Sequence, residues 1–203
     1  MTLAETLSLI EWRRRVADLY SDIRREPDPL TAWKLWCNTR NQLFGQHAQS
    51  PLSAAQKQHF SAIPVFAYDP ALRFLVRLSE TSGAVLHLPA GADGAVAASP
   101  FARTNGLAAT LGAELTLYWI GGYGGGVFLP FKDATSGYET FGGGRYLLDG
   151  VKSADLGMTP DGRMILDFNF SYAPSCAHSP DYICPLAPPE NSLPGAVRGG
   201  ERS

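Results

Sequence analysis

The sequence has few cysteines, no long apolar run and no marked excess of charge of either sign. Three cysteines in 203 residues are too few and too scattered for the disulfide framework of a small secreted protein. Apolar runs fall short of the roughly 20 residues that span a bilayer, and the first residues lack the basic and apolar regions of a secretory signal. We therefore expect a cytoplasmic protein without a membrane partner.

Charged residues are sparse and nearly balanced. The 17 basic residues stand against 19 acidic ones, for a formal net charge of −2 and an isoelectric point near 6.1. A protein that binds nucleic acid normally has a basic face or a high isoelectric point, so we expect no nucleic-acid partner. We expect no metal site either, because zinc normally takes four ligands and only Cys176, His178 and Cys184 lie close together. Nothing in the pattern identifies a cofactor or an oligomeric state.

Glycine and proline are the residues in excess. The chain has 21 glycines and 15 prolines, a larger share than in average proteins, which predicts many turns. Turns at this density favour antiparallel β structure. A chain of this length can bury enough surface for one core, so we predict a single domain over residues 1–203.

The first quarter of the chain predicts helices. Apolar side chains recur at steps of three and four residues over 3–25, and a capping box begins at Thr2. Asp28 followed by proline predicts the start of a second helix over 29–45. Ser53 begins another capping box, which predicts a short third helix. The two long helices are expected to form a hairpin.

From residue 63 onward the apolar period changes to two, which is the pattern of β-strands. The predicted strands lie around residues 72–76, 84–88, 106–111, 114–120, 127–131, 145–148 and 164–170. Because no crossover helices separate them, a parallel sheet is excluded. We predict an α+β fold with a helical N-terminal segment (1–60) packed outside a mainly antiparallel β-barrel or sandwich (61–172). A proline-rich C-terminal arm (173–203) is expected to wrap the sheet in an extended conformation.

The loop between Asp133 and Arg145 mixes charged and hydroxyl side chains with glycines. Its short polar residues suit a tight turn, but Glu139 and Arg145 are long charged side chains that serve a turn poorly. They indicate either a structural ion pair or a site. Glu139 is a candidate catalytic acid or base, and we favour a functional role for it. Arg145 is a candidate substrate-binding residue, because its planar fork suits a carboxylate or phosphate. We predict that it is at least half buried and bonded to a carboxylate of this chain or to a ligand anion.

A second polar group surrounds Phe168. Asp167 and Asn169 flank it in a predicted strand, whose period of two places both polar side chains on one face and Leu166, Phe168 and Phe170 on the other. They serve either to bond backbone groups of the arm or to form a site. Asp167 is the second candidate catalytic residue, although its mid-strand position favours a structural role. Asn169, Tyr172 and Glu190 are further candidate substrate-binding residues.

Cys176 and Cys184 lie in the arm, with His178 between them in sequence. A nucleophilic cysteine needs a setting that lowers its pKa and a group that orients its base, and no third group is evident. Inert packing is therefore favoured. Because geometry decides whether two cysteines can bridge, the free, bridged and reactive states stay open.

Three blocks of sequence follow one another in a recognisable order. They are FKDATSGYETFGGGRYL (131–147), LDFN with YAPSCA (within 166–177), and CPLAPPEN continuing to the Gly-Glu pair (within 184–201). In this order they resemble the uncharacterised domain-of-unknown-function family 1684, which is found in bacteria and archaea. Two positions depart from it: Ala173 replaces a more usual Asn, and Phe141 replaces a usual Tyr. The resemblance implies a family without an agreed activity, so it supplies no mechanism.

Three classes of function fit these residues. The first is an enzyme acting on a small polar or anionic metabolite in a pocket between the β core and the arm, with Glu139 or Asp167 in acid–base chemistry. The second is a non-catalytic binding module with the same pocket. The third is a structural or partner-binding protein whose polar blocks only hold the arm. A cofactor-bearing barrel is a further alternative, and the sequence does not identify a substrate.

Overall fold

A computed structural model describes residues 1–89, 91 and 94–203. Its N-terminal part consists of helices α1 (Leu3–Arg25), α2 (Pro29–Gln46) and α3 (Ala54–His59). Side chains cap each start: Thr2 and Glu5 form a capping box on α1, and the Asp28 carboxylate accepts from two amides of α2. The Ser53 capping box begins α3. The three predicted helices are confirmed.

The described residues contain seven strands in one sheet. They are β1 (Arg73–Glu80), β2 (Leu86–Pro89), β3 (Ala95–Asn105), β4 (Thr116–Ile120), β5 (Gly126–Phe131), β6 (Arg145–Asp149) and β7 (Met164–Asp167). Their order is β6-β5-β4-β3-β1-β7, and β2 pairs with β3 off this path. The pairs are antiparallel, as predicted. An isolated bridge between Tyr146 and Tyr172 connects β6 to the chain that follows β7, so the sheet forms a nearly closed barrel.

The barrel strands send alternate side chains into two separate cores, because neighbouring residues of a strand point to opposite faces. On the inner side, Leu117 and Leu129 are completely buried. On the outer side, Tyr118 and Phe128 belong to the same apolar cluster as Trp36 of α2. The helical hairpin therefore covers the outside of the sheet, as predicted.

One predicted strand is wrong and one strand was missed. Residues 106–111 lead into a short helix, α4 (Ala108–Leu111), rather than a strand. The reason is the Glu114 carboxylate, which accepts from the amides of Gly106, Leu107 and Ala108 at 2.9–3.2 Å and closes a tight turn. The strand in this region is β3, just before the turn. Its alanines, serine and proline give a weak β signal.

Strand β7 ends at Asp167 instead of continuing to Phe170. The Asp167 Oδ1 accepts from the Asn169 amide at 3.0 Å, which bends the next residues into a 3₁₀ turn. Phe168 still packs in the inner core with Leu166, but Phe170 packs in the outer core. The prediction that both phenylalanines share one face is therefore wrong.

The C-terminal arm (173–203) is irregular apart from short 3₁₀ turns, as predicted. It lies beside the end of β5. There the backbone amide of Lys132 donates to the Asn191 carbonyl at 2.9 Å, and the Lys132 carbonyl accepts from the Leu193 amide at 2.8 Å. Leu193 and Val197 are buried in the inner core. The arm is therefore part of the barrel's core as well as its wrapping.

Candidate functional site

Arg145 is buried at the start of β6 and binds the end of the arm. Its guanidinium donates to the Asp133 carboxylate at 2.8 Å. It also donates to the backbone carbonyl oxygens of Val197, Gly199 and Glu201. Arg145 was predicted to be at least half buried and bonded either to a carboxylate of this chain or to a ligand anion, and the structure shows the first of these. These contacts fasten the arm to the sheet, so we call Arg145 and Asp133 the arm clamp.

The loop before Arg145 is shaped to hold Asp133 in place. The Asp133 Oδ1 accepts from the Thr135 amide at 2.8 Å and from its hydroxyl at 2.6 Å. Gly144 has a φ of +94°, and a Cβ there would lie 2.6 Å from the Phe131 carbonyl oxygen, so only glycine fits. The short polar residues of this loop therefore serve its turn, as one interpretation of the sequence predicts.

Glu139 lies outside the arm clamp. Its carboxylate accepts hydrogen bonds of 2.8–3.1 Å from Arg198, and its side chain is 35% exposed. The hydrogen bonds from Arg198 lower the pKa of Glu139 below its ordinary value. The partner of Arg145 is thus Asp133 rather than Glu139, which forms a surface ion pair with the arm. A catalytic role for Glu139 stays a prediction.

The other predicted substrate-binding residues contact separate parts of the chain. They are Asn169, Tyr172 and Glu190. The Asn169 side chain bonds both backbone groups of Asp69, at 2.8 and 2.9 Å. The Tyr172 hydroxyl donates to Asp149 at 3.1 Å, and Glu190 accepts from the Tyr118 hydroxyl at 2.7 Å. These contacts give each side chain a partner within the protein, and the structure does not bring them together around Arg145.

Asp167 is held differently. Its side chain is only 1% exposed, and its Oδ1 accepts from the Asn169 side chain at 2.7 Å. Its Oδ2 makes no hydrogen bond of ordinary length and angle to the described residues, and the Tyr68 side chain lies close enough to interact with it. The nearest cation is Arg73, whose Nε is 3.8 Å from Oδ2. Burial raises the pKa of Asp167 from 3.8 to about 6.

A small cleft opens beside Asp167, between the α1–α2 junction and the sheet. Arg24, Glu26 and Pro27 line it from the helical side, and Arg73 and Asp167 line it from β1 and β7. Its volume is about 80 Å³, well below the roughly 300–1,000 Å³ of a pocket for a drug-sized ligand. It has room for a few water molecules or for a molecule of a few non-hydrogen atoms. It is not at the predicted place between the β core and the arm.

Among the described residues, four charged side chains line the cleft. Arg24 donates to the Asp155 carbonyl at 2.7 Å, and Glu26 accepts from the Asp28 amide at 3.0 Å, so each makes one hydrogen bond within the chain. The other two are Asp167 and Arg73, whose Oδ2 and Nε lie 3.8 Å apart. The cleft therefore presents one buried acid and one cation side by side, next to two charged groups that are bonded to the backbone.

Tyr68 adjoins this pair. Burial, and after it the negative charge of Asp167, raises the pKa of Tyr68 to about 12. The Tyr68 ring packs on Trp33 with ring centroids 5.9 Å apart. The indole Nε1 of Trp33 is a second buried atom that lacks a hydrogen-bond partner within the described chain. Of the four buried side-chain atoms without a hydrogen-bond partner in the described part of the chain, two thus lie at this side of the molecule, and the other two belong to Arg145 and His178.

A buried ion pair between Arg40 and Glu201 was not predicted from the sequence. The Glu201 side chain is 1% exposed and that of Arg40 is 14% exposed, and Arg40 donates to Glu201 through two nitrogens. The guanidinium also lies 4.8–5.1 Å from the centroids of three aromatic rings. The signal was present in the spacing, because Arg40 falls three residues after Cys37 and four before Phe44 on the apolar face of α2.

Two further findings concern metal sites and membrane-spanning helices. Within the ranges that the structure describes, no three His, Cys, Asp or Glu side chains are grouped so as to hold a metal ion. None of the described helices combines the length and the apolar character that a bilayer crossing requires.

Comparison with known families places the chain. The model of the family described as protein of unknown function DUF1684 matches residues 58–202. The chain belongs to the DUF1684 family. The resemblance found in the sequence is thereby confirmed. The matched range includes the arm clamp, Arg73 and Asp167, whereas the α1–α2 hairpin that forms the other wall of the cleft lies outside it.

No curated protein matches this chain. The chain is similar to the solution NMR structure of an uncharacterized protein from Haloarcula marismortui. The two share 28% sequence identity with a TM-score of 0.59, over 85% of this chain and 93% of that one. The similarity confirms the α+β fold, and that protein's description states no activity.

Proposed function

We propose that this member of the DUF1684 family is an enzyme that binds a small polar or anionic molecule in the Asp167 cleft. In this proposal Asp167 accepts or donates a proton, and Arg73 holds an acceptor or anionic group of the same molecule. The cleft replaces the predicted pocket beside the arm as the binding site. Asp167 replaces Glu139 as the favoured catalytic residue.

One observation carries the proposal: the Asp167 Oδ2 is buried, lies beside a cleft and makes no hydrogen bond of ordinary length and angle to the described residues, with only the Tyr68 side chain close enough to interact with it. Buried polar atoms nearly always have a partner, and an unpaired one costs stability. A ligand that donates a hydrogen bond to Oδ2 removes this cost. A carboxyl with a pKa of about 6 is also suited to exchange a proton near neutral pH.

Asp167 and Arg73 together limit which chemical groups the ligand can carry. Asp167 in its charged form accepts a hydrogen bond, and Arg73 donates. A molecule that carries a hydroxyl or amine next to a carboxylate or carbonyl satisfies both. The 80 Å³ volume restricts it to a few non-hydrogen atoms.

The structural or partner-binding function is the second candidate, and the arm clamp favours it. Arg145 binds three carbonyl oxygens of the arm, and Asn169 binds the backbone of Asp69. Polar side chains from two of the family's sequence blocks thus serve the fold. The two candidates differ in what they require of Asp167.

A titration followed by amide NMR tests the first candidate. Lactate, glycine, acetate and phosphate are each added to the labelled protein at pH 6.5. We expect one or more of the two bifunctional molecules, lactate and glycine, to shift the amide signals of Arg73, Ile165 and Asp167. Asp167→Asn should lose this response, and the control Asp161→Asn should keep it, because Asp161 is exposed on the surface.

Two results count against parts of the proposal. Shifts that persist in Asp167→Asn, or that appear only at exposed residues, show that the cleft is not the binding site. Binding that depends on Asp167 but does not change between pH 5 and 7 shows a binding module without acid–base chemistry, because a carboxyl with a pKa of about 6 changes its charge within that range.

A further inference from the structure

Two cysteines of the arm, Cys176 and Cys184, lie against each other. The Cys176 amide donates to the Cys184 Sγ across 3.3 Å. Because a cysteine's own sulfur is only a few bonds from its amide nitrogen, the Cys184 sulfur also comes within reach of the Cys176 sulfur. The two thiols interact through their side chains. Both residues are partly exposed, so this part of the arm is open to solvent.

We propose that Cys176 and Cys184 form a redox site that takes small-molecule disulfides, such as oxidised glutathione, as its substrate class. One thiolate attacks the small disulfide, forms a mixed disulfide and releases one small thiol. The other cysteine thiolate then attacks the mixed disulfide, the Cys176–Cys184 bond forms, and the second small thiol leaves. Two protein thiols are oxidised with loss of two protons, and one small disulfide is reduced to two thiols.

The segment between the cysteines is fixed at several points, which holds the sulfurs near each other. The His178 ring packs edge-on against Phe44 with centroids 5.0 Å apart, and the His178 carbonyl accepts from Gln56 at 3.3 Å. Just after Cys184, the Pro185 carbonyl accepts from the Tyr146 hydroxyl. A disulfide needs its two residues close together, and these contacts limit how far the two ends of the segment can move apart before oxidation.

The rate of the exchange depends on pH. Burial, and then the adjacent Cys184 thiol, raises the pKa of Cys176 to about 11. Because the thiolate is the reacting form, the exchange is slow at neutral pH and becomes faster as the pH rises. The third cysteine, Cys37, provides an internal control. Burial raises its pKa to about 12.

Peptide mapping tests the site in the intact protein. The protein is incubated with oxidised glutathione at pH 8.5, free thiols are blocked with N-ethylmaleimide under denaturing conditions, and the product is digested with trypsin. Both arm cysteines fall in the peptide 164–198, because no Lys or Arg lies between Arg163 and Arg198. We expect this peptide to carry no N-ethylmaleimide and to be lighter by two hydrogens than the same peptide with both thiols reduced. A second protease that cleaves before Asp181 should separate the two cysteines into peptides that stay joined until the disulfide is reduced. Cys37 should carry N-ethylmaleimide.

Thermal unfolding provides a second measurement. The oxidised protein should melt several degrees above the reduced protein, since the bond constrains the unfolded chain. Cys37→Ser should keep this redox-dependent shift, and Cys176→Ser and Cys184→Ser should each lose it. Stable glutathione adducts at either cysteine, cross-linked dimers or an unoxidised 164–198 peptide would overturn the proposal. None of these results depends on Asp167, so this site and the cleft are tested separately.

Discussion

Asp133 and Asp167 are both buried aspartates near an arginine, yet the protein treats them in opposite ways. Asp133 has partners on both oxygens: Thr135 and the Val197 amide bind Oδ1, and Arg145 binds Oδ2 at 2.8 Å. Asp167 has hydrogen bonds of ordinary geometry on Oδ1 alone, and its arginine stays 3.8 Å away.

The contrast separates a structural carboxylate from a candidate functional one. A buried carboxylate that keeps its charge needs hydrogen bonds or a cation on every side, and the arm clamp supplies them. At Asp167 the supply is incomplete, and burial raises the pKa to about 6. Incomplete bonding beside a cleft is a feature of sites rather than of scaffolds. Changes at each aspartate and its arginine therefore test the contrast directly.

The largest effect is expected from Arg145→Met. The substitution leaves the Asp133 carboxylate buried without its cation and leaves carbonyl oxygens of the arm unpaired. Breaking a buried pair in this way typically costs about 3–5 kcal/mol. We expect a corresponding fall in the free energy of unfolding, measured by urea denaturation at pH 7.

Two variants make that result specific. Arg145→Lys keeps the charge but not the planar fork, so it should fall between the wild type and Arg145→Met. Arg163→Met removes an arginine from an exposed pair with Asp161 and should change stability little. Equal, small effects for Arg145→Met and Arg163→Met would show that the arm clamp does not hold the fold.

Sequence patterns predicted the parts of this contrast that depend on local chemistry. Helical spacing and capping residues predict α1 and α2, because a helix is defined by contacts a few residues apart. The burial of Arg145 and its bond either to a carboxylate of the chain or to a ligand anion were also predicted. The pattern did not identify which carboxylate this is, and Asp133, interpreted as a turn residue, is both a turn residue and the ion-pair partner.

The rest depends on contacts that distant segments make. The Arg40–Glu201 pair joins residues 161 positions apart. Helical spacing places Arg40 on the apolar face of α2, but no local pattern identifies Glu201 as its partner. The cleft has one wall from the α1–α2 junction and another from β7, so its position follows from how the hairpin docks on the barrel. Strand β3 was missed because its alanines favour neither the helical period nor the strand period of apolar residues. Its pairing with β1 and β4 decides its structure.

A smaller effect, with opposite sign, is expected from Asp167→Asn. The folded protein holds the Asp167 proton up to about pH 6, whereas an unfolded aspartate loses it near 3.8. The folded state therefore binds more protons in this window, and the free energy of unfolding falls as the pH rises through it. The free energy of unfolding falls by at most about 3 kcal/mol across this pH window. The amide that replaces the carboxyl does not titrate, so we expect the variant to be more stable than the wild type at pH 7, by about 1–3 kcal/mol.

Urea denaturation of both proteins between pH 4.5 and 7.5 measures this difference. The gap should be small at the acid end and should widen up to pH 7. Asp161→Asn is the control, because hydrogen bonds from Thr159 and Arg163 lower the pKa of Asp161 and its removal should not stabilise the protein. A gap that is constant with pH, or an Asp167→Asn variant less stable than the wild type at pH 7, would place Asp167 with Asp133 as a structural carboxylate.

The smallest effect is expected from Glu139→Gln, the surface counterpart of the two buried aspartates. Glu139 binds Arg198 through three short contacts, but the Arg198 side chain is 62% exposed. Water and salt screen such a pair, and an amide keeps part of its hydrogen bonding. We expect a melting temperature equal to that of the wild type at about 0.15 M salt. An unchanged value follows from exposure alone and does not mark Glu139 as catalytic. A fall of several degrees that disappears at 1 M salt would instead show that this pair fastens the end of the arm together with Arg145.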